Sequence, residues 1–246
     1  MLEIAHVAKA FGGLHVLRDV TFTAQSGAVT ALIGPNGAGK STLVNIIAGA
    51  LRPDGGEVVL DGSDVTGASS PRAFQLGISR TFQVSGNVGN LNVFESVALA
   101  AYRHGGSYKQ ANRLAREELE RFGLWRYRND RLGDVPTAMM RLADFARGMV
   151  AEPKVLLLDE VMAGLTPHEV DTVIERVRYC RDQGVAIVMI EHVMQAVQAL
   201  ADHVVVLNQG GIIAQGPLSE VARNPEVIEA YLGTPPADAE TAQTSG

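Results

Sequence analysis

Residues Gly34-Pro35-Asn36-Gly37-Ala38-Gly39-Lys40-Ser41-Thr42 carry the spacing G-x-x-x-x-G-K-S. Glycines at those places let a loop wrap until successive backbone N–H groups face inward, which suits phosphate oxygens. The apolar run Val29–Ile33 before the loop reads as a strand. Ser41–Ala50 after it reads as a helix, whose free N–H groups and dipole add positive potential. In this setting, a P-loop, Lys40 reaches the β- and γ-phosphates of ATP and Ser41 ligates Mg²⁺. The bland alternative is a Gly-rich turn with an incidental lysine; the four fixed positions match by chance in roughly one chain in a hundred of this length. A second feature is Val155-Leu156-Leu157-Leu158-Asp159-Glu160, an apolar strand that delivers two acids at its C-terminal end. Asp159 fits the shell of Mg²⁺, and Glu160 fits a proton acceptor for an attacking water. His192 follows the apolar strand Val185–Ile190, so it lies at a strand edge of the kind where open α/β sheets bind ligands. There it suits a donor to a γ-phosphate, against the alternative of a structural histidine. Two further residues are ambiguous by type alone. Gln83, after the strand candidate Ile78–Phe82, is a polar residue at a boundary; Phe11, before Gly12-Gly13, is either a core aromatic or one that stacks on adenine.

Several elements must position these groups. Ile4–Val7, Val20–Gln25 and Val29–Ile33 are strand candidates, and Glu57–Leu60 follows the turn Pro53-Asp54-Gly55-Gly56. From Gly86 to Val150 the character is helical, with Val93–Ala101, Gln110–Phe122 and Met140–Ala151 as helices, Gly123 as a terminating glycine and Arg103–Ser107 as a loop. Beyond that, β and α alternate. Val155–Leu158 is a strand, and the capping box Thr166-Pro167-His168-Glu169 opens a helix with apolar Val170, Val173, Ile174 and Val177 that ends at Gly184. Val185–Ile190, Val193–Leu200 and Val204–Leu207 continue as strand, helix, strand. Buried apolar runs alternating with helices indicate a parallel sheet covered on both faces. Residues 234–246 are small and polar and read as a disordered tail.

The chain has 246 residues, 46% hydrophobic and 20% charged, enough for one core or a core with an inserted lobe. A formal net charge of −6 argues against a dedicated nucleic-acid binder. Cys180 is the single cysteine, which removes an intrachain disulfide and a cysteine-based metal site. The N-terminus lacks a signal-peptide pattern, and no apolar run approaches the ~18 residues of a membrane span. Service to a membrane would come from the water side, through a partner.

Together these residues resemble the ATP-binding subunits of ABC transporters, up to Gly233. Within that superfamily Ala10-Phe11-Gly12-Gly13-Leu14, Ser79-Arg80-Thr81-Phe82-Gln83, Leu91-Asn92-Val93, Met162-Ala163-Gly164-Leu165, Ile190-Glu191-His192-Val193-Met194 and Val227-Ile228-Glu229-Ala230-Tyr231-Leu232-Gly233 look like the branched-chain amino acid importer branch. The resemblance implies an α/β fold: a P-loop NTPase core with a mixed or parallel sheet and an N-terminal antiparallel β segment, built from 1–85 and 151–233, with 86–150 as an inserted helical subdomain. It makes Phe11 the adenine-stacking aromatic, Gln83 a residue that senses Mg²⁺ and couples core to helical lobe, His192 a switch, and Ala163–Thr166 a loop at the subunit contact. It further implies a peripheral ATPase on the cytoplasmic face of the inner membrane. The partners would be a second ATPase subunit facing head to tail, transmembrane permeases and, indirectly, a periplasmic or surface substrate-binding protein. The sequence departs from the family at the signature motif that each subunit lends to the other's ATP. Pro136-Thr137-Ala138-Met139 stands there, with Ala138 for the usual glycine and Met139 for the usual glutamine. A Cβ at 138 can obstruct the approach of N–H groups to the γ-phosphate. One reading is tolerated drift in an active subunit; the other is a heterodimer with an intact partner, in which this chain is the non-equivalent half, and at the extreme a nucleotide-gated subunit with weak hydrolysis. Val161, where proline usually follows the catalytic acid, is a smaller departure.

Overall fold

The computed structural model describes residues 1–81, 90–104 and 107–232. Gln83 and the tail 234–246 lie outside these residues. The chain runs through β1 (Leu2–Phe11), β2 (Leu14–Ala24), β3 (Val29–Ile33), helix α1 (Lys40–Ile47), β4 (Gly55–Leu60), β5 (Ser63–Asp64), α2 (Ser70–Leu76) and β6 (Ile78–Arg80). Helices α3 (Val93–His104), α4 (Tyr108–Arg121) and α5 (Thr137–Met149) follow. Then come β7 (Val155–Asp159), α6 (Pro167–Asp182), β8 (Ala186–Ile190), α7 (Met194–Leu200), β9 (His203–Asn208), β10 (Gly211–Gly216), α8 (Leu218–Val221) and α9 (Pro225–Leu232).

Two sheets result. The first is antiparallel, in the order β2-β1-β4-β5; the second has the order β10-β9-β3-β8-β7-β6. Within the second, β9, β3, β8, β7 and β6 are parallel, and β10 returns antiparallel along β9. The all-apolar runs in β3, β7 and β8 follow from burial on both faces. Leu32, Leu157, Val188 and Val205 point toward α1 and the first sheet, packing with Leu43, Val44, Ile4 and Phe22. Ala31, Leu156, Leu158, Ile187 and Val206 point the other way, toward α3 to α7. The α/β architecture with an antiparallel N-terminal sheet thus agrees with the sequence. No helix among the described residues is long and apolar enough to cross a membrane.

Boundaries differ where side-chain periodicity is weak. β1 extends beyond Ile4–Val7 at both ends, and β2 begins at Leu14 rather than Val20 and ends at Ala24, because bulges near Ile4, Val7 and Lys9 interrupt the alternation that marks a half-buried strand. α3 continues through Arg103 to His104, correcting the expected loop at 103–107. α5 starts at Thr137 rather than Met140, so Ala138 and Met139 occupy its first turn. The capping box at Thr166 is formed, with both reciprocal contacts to Glu169.

The strand order matters for the site. It sets the C-terminal ends of β3, β8, β7 and β6 side by side. Those ends lead into the glycine loop, His192, Asp159-Glu160 and Arg80.

Candidate active site

The glycine loop leaves β3, which lies between β9 and β8, and enters α1. Gly34 has φ 147, and a β-carbon there would sit 2.0 Å from the carbonyl oxygen of Leu207 in β9. Gly39, at φ 105, starts α1 in the left-handed region, and a β-carbon there would lie 2.8 Å from the Val16 carbonyl oxygen. Both positions need glycine, because the loop threads between β9 and β2 with no room for side chains. No side chain caps α1, whose first N–H groups stay free as donors at the positive end of the helix. Lys40 is 6% exposed, and its ammonium donates to the carbonyls of Gly34 at 2.7 Å and Pro35 at 3.0 Å. Burial lowers its pKa, while the charges of Glu160 and Asp159 act to raise it. Asn36, Gly37 and Ser41 are exposed; Pro35 and Thr42 are half-buried and Ala38 is buried. Phe11 pairs with Leu14 at the tip of the β1–β2 hairpin, and β2 is the strand that touches Gly39. Its ring is open, at 47% exposure, with Lys9 Nζ 5.5 Å from the centroid.

The two acids stand at the end of β7, Asp159 as its last residue and Glu160 just after it. Asp159 accepts from Arg80 Nη2 at 2.7 Å, and Nη1 of the same guanidinium donates to Asn45 of α1 at 2.6 Å. One arginine therefore ties β6, the Asp159 carboxylate and the helix of the glycine loop together. Glu160 sits at φ 49, a left-handed conformation uncommon for a residue with a side chain. Its Oε1 lies 3.1 Å from His192 Nε2. Lys40, Asp159, Glu160 and His192, remote in sequence, are thus brought to one sheet edge.

Pro136-Thr137-Ala138-Met139 stands apart from this group. Among the described residues no hydrogen bond or ion pair joins it to the glycine loop or the two acids. Pro136 precedes α5 without a side-chain cap, and Pro136 and Thr137 are exposed. Ala138 is only 1% exposed. Its methyl is covered within its own chain, so the outward face of this turn is formed by Pro136, Thr137 and half-buried Met139.

Two residues at the site went unassigned in the sequence. Arg80 ends β6 at the same sheet edge as Asp159, and that placement, used for His192, was the available signal. Glu191 precedes His192 and is buried; its neighbour was the clue.

The likenesses to known proteins follow this geometry. Residues 17–163 match the family described as ABC transporter. The chain belongs to the ATP-binding family of ABC transporters. Residues 212–237 of this ABC ATPase also match the family described as Branched-chain amino acid ATP-binding cassette transporter. It is 33% identical to the high-affinity branched-chain amino acid transport ATP-binding protein BraF of Pseudomonas aeruginosa, over 95% of this chain and 98% of that one. It is 31% identical to the probable branched-chain amino acid transport ATP-binding protein LivG of Archaeoglobus fulgidus, over 98% of each. Among solved structures, a nucleotide-free ATP-binding cassette from an ABC transporter superposes with a TM-score of 0.88 at 29% identity, covering 95% of this ABC ATPase and 99% of that chain.

Proposed function

We propose that this subunit binds MgATP on the loop Gly34–Thr42 and hydrolyses it to drive a transmembrane permease that imports branched-chain amino acids. The observation that carries the hydrolytic reading is the Glu160–His192 contact at 3.1 Å, at the same edge as buried Lys40. Lys40 exchanges its carbonyl partners for phosphate oxygens and offsets their charge. Glu160 accepts the proton of the attacking water, and His192, which meets Glu160 through Nε2, turns that N–H to the γ-phosphate when ATP binds. Exposed Phe11 stacks on adenine.

The donors fit Mg²⁺. Ser41 and Asp159, with Gln83, offer hard oxygen ligands, and no cluster of three or more His, Cys, Asp or Glu able to hold a metal occurs among the described residues. That set matches an ion bound by a few protein oxygens plus phosphates and water, not one held in an all-protein cage. When bound, Mg²⁺ neutralises charge on the transferred phosphoryl group.

The cargo reading rests on what the relatives' names state and on the C-terminal match over 212–237. Exposed Ala163, Gly164 and Thr166 project beyond the acids, as a loop touched by a facing subunit would. The core 1–85 with 151–233 would hold ATP, and the helical part 86–150, joined near Gln83, would meet the permease at the cytoplasmic face of the inner membrane. In the full-length chain, Glu160→Gln should keep ATP binding and lose turnover by about 10²–10⁴-fold. Unchanged turnover would refute the role of Glu160.

A second reading concerns asymmetry. Met139 removes a polar partner from the turn this chain lends to a neighbour, so the chain works best with an intact, different ATPase subunit. Buried Ala138 moves the weight of this reading from the methyl at 138 to Met139. If the lone chain hydrolyses ATP as fast as the assembled transporter, and neither Ala138→Gly nor Met139→Gln changes anything, the asymmetry is absent.

A further inference from the structure

The last residue pair between β7 and β8 is Asp159 with Ile190. One step on, the Glu160 N–H still donates to the Ile190 carbonyl at 2.9 Å. Then the ladder ends, yet Val161 and Met162 are buried and their N–H groups need partners. The Met162 N–H finds one in Glu191 Oε1, at 3.0 Å. The N–H groups of His192 and Val193, next along the chain, favour the ionised form of that carboxylate. Glu191 is 2% exposed. Burial raises its pKa, the nearby Glu160 charge acts in the same direction, and the three N–H donors act to keep it ionised.

One buried anion on the segment that carries His192 therefore accepts an N–H group from the segment that follows Glu160. These are the segments whose side chains meet at 3.1 Å. Glu160 also holds a left-handed backbone at φ 49, which persists only where the surroundings fix it. Its own N–H bond to Ile190 is the last of the ladder, so the buried turn beyond it at Val161 and Met162 is held by other contacts.

We propose that Glu191 is a positioning residue for the Glu160–His192 pair, its buried carboxylate clamping the segment after Glu160 to the segment that carries His192. The clamp has a direction. Ala163 and Gly164 follow Met162 and are exposed, so pressure from a facing subunit on that turn passes through the Met162 N–H to Glu191, and from there to His192. This last step rests on the proposed function; the clamp itself does not.

The test uses the full-length chain with Glu191→Ala, Glu191→Gln and His192→Ala, and two readouts. The first is amide hydrogen exchange at Met162, His192 and Val193, with Leu158 and Met189 inside the strands as references. Glu191→Ala should speed exchange at the three amides by about tenfold or more and leave the references unchanged. Glu191→Gln, with one carbonyl oxygen left to accept, should fall between. The second readout separates binding from turnover. The Kd of a fluorescent ATP analogue should hold within about twofold while kcat falls about tenfold or more, and Glu191→Ala should cost almost nothing further in the His192→Ala background. Unchanged exchange at the three amides overturns the proposal. So does a kcat loss that persists in full without His192, or faster exchange at the references, which marks general loosening. If Glu191→Ala does not fold, Glu191→Gln carries both readouts. A wild-type chain that binds ATP without turning it over, even with an intact partner ATPase subunit present, would refute the hydrolytic reading; exchange would then decide the clamp alone.

Discussion

Removing the guanidinium of Arg80 should reveal how strongly the site holds its own acid. The side chains of Arg80 and Asp159 are 20% and 19% exposed, so their 2.7 Å contact is mostly shielded from water. Breaking a fully buried pair by deleting one member costs about 3–5 kcal/mol, because it strands the other charge. With a fifth of each side chain still solvated, and a 2.6 Å bond to Asn45 lost as well, Arg80→Ala should cost about 2–3 kcal/mol. In a chain of this size that lowers Tm by roughly 5–10 °C. Arg80→Lys should recover only part, since a single ammonium cannot span Asp159 and Asn45 as the planar fork does. Urea unfolding of wild type, Arg80→Ala, Asp159→Asn and the double variant closes a cycle that isolates the pair. The double variant should be about 1–2 kcal/mol more stable than the sum of the single losses predicts, because no stranded charge remains. Strictly additive losses, or a cost for Arg80→Ala below about 0.5 kcal/mol, would refute the reasoning.

Three other perturbations address separate parts of the molecule. Gly34→Ala should destabilise by about 3 kcal/mol or more in thermal unfolding, because φ 147 and a backbone oxygen 2.0 Å from the new β-carbon leave nowhere to relax. Phe11→Ala should leave Tm unchanged, since the ring is 47% exposed, yet weaken ATP binding by roughly 2- to 12-fold in a fluorescence titration. Asp144 in α5 accepts from Arg147 through Oδ1, while its buried Oδ2 has no partner; burial outweighs Arg147 and Arg141 and raises its pKa to about 6. The folded state then binds the proton more tightly than the unfolded one, so the contribution of Asp144 is present below about pH 4 and lost as pH rises through about 6. The stability of Asp144→Asn relative to wild type should therefore rise across that window, by up to about 3 kcal/mol in urea unfolding, whereas a falling difference would contradict it.

Local chemistry explains what the sequence determined by itself. The glycine loop, the acids after an apolar strand and the capping box at Thr166 all need particular residue types at fixed spacing, so they are legible without tertiary contacts. The doubly buried strands β3, β7 and β8 are legible for a related reason, since burial on both faces removes polar residues from the run. Elements without a full apolar stripe escaped. α2 buries only Ala73 and shows no helical period. β10 is a short edge strand turned by Gln209 and Gly210, both at positive φ. Ala138 read as an exposed obstruction until the start of α5 at Thr137 turned its methyl inward. Which residues meet was decided only by the order β3-β8-β7-β6. That order sets Arg80 against Asp159 and Asn45, His192 against Glu160, and Glu191 under both loops. Each contact spans from about thirty to eighty residues, a separation that no pattern in a one-dimensional window can encode.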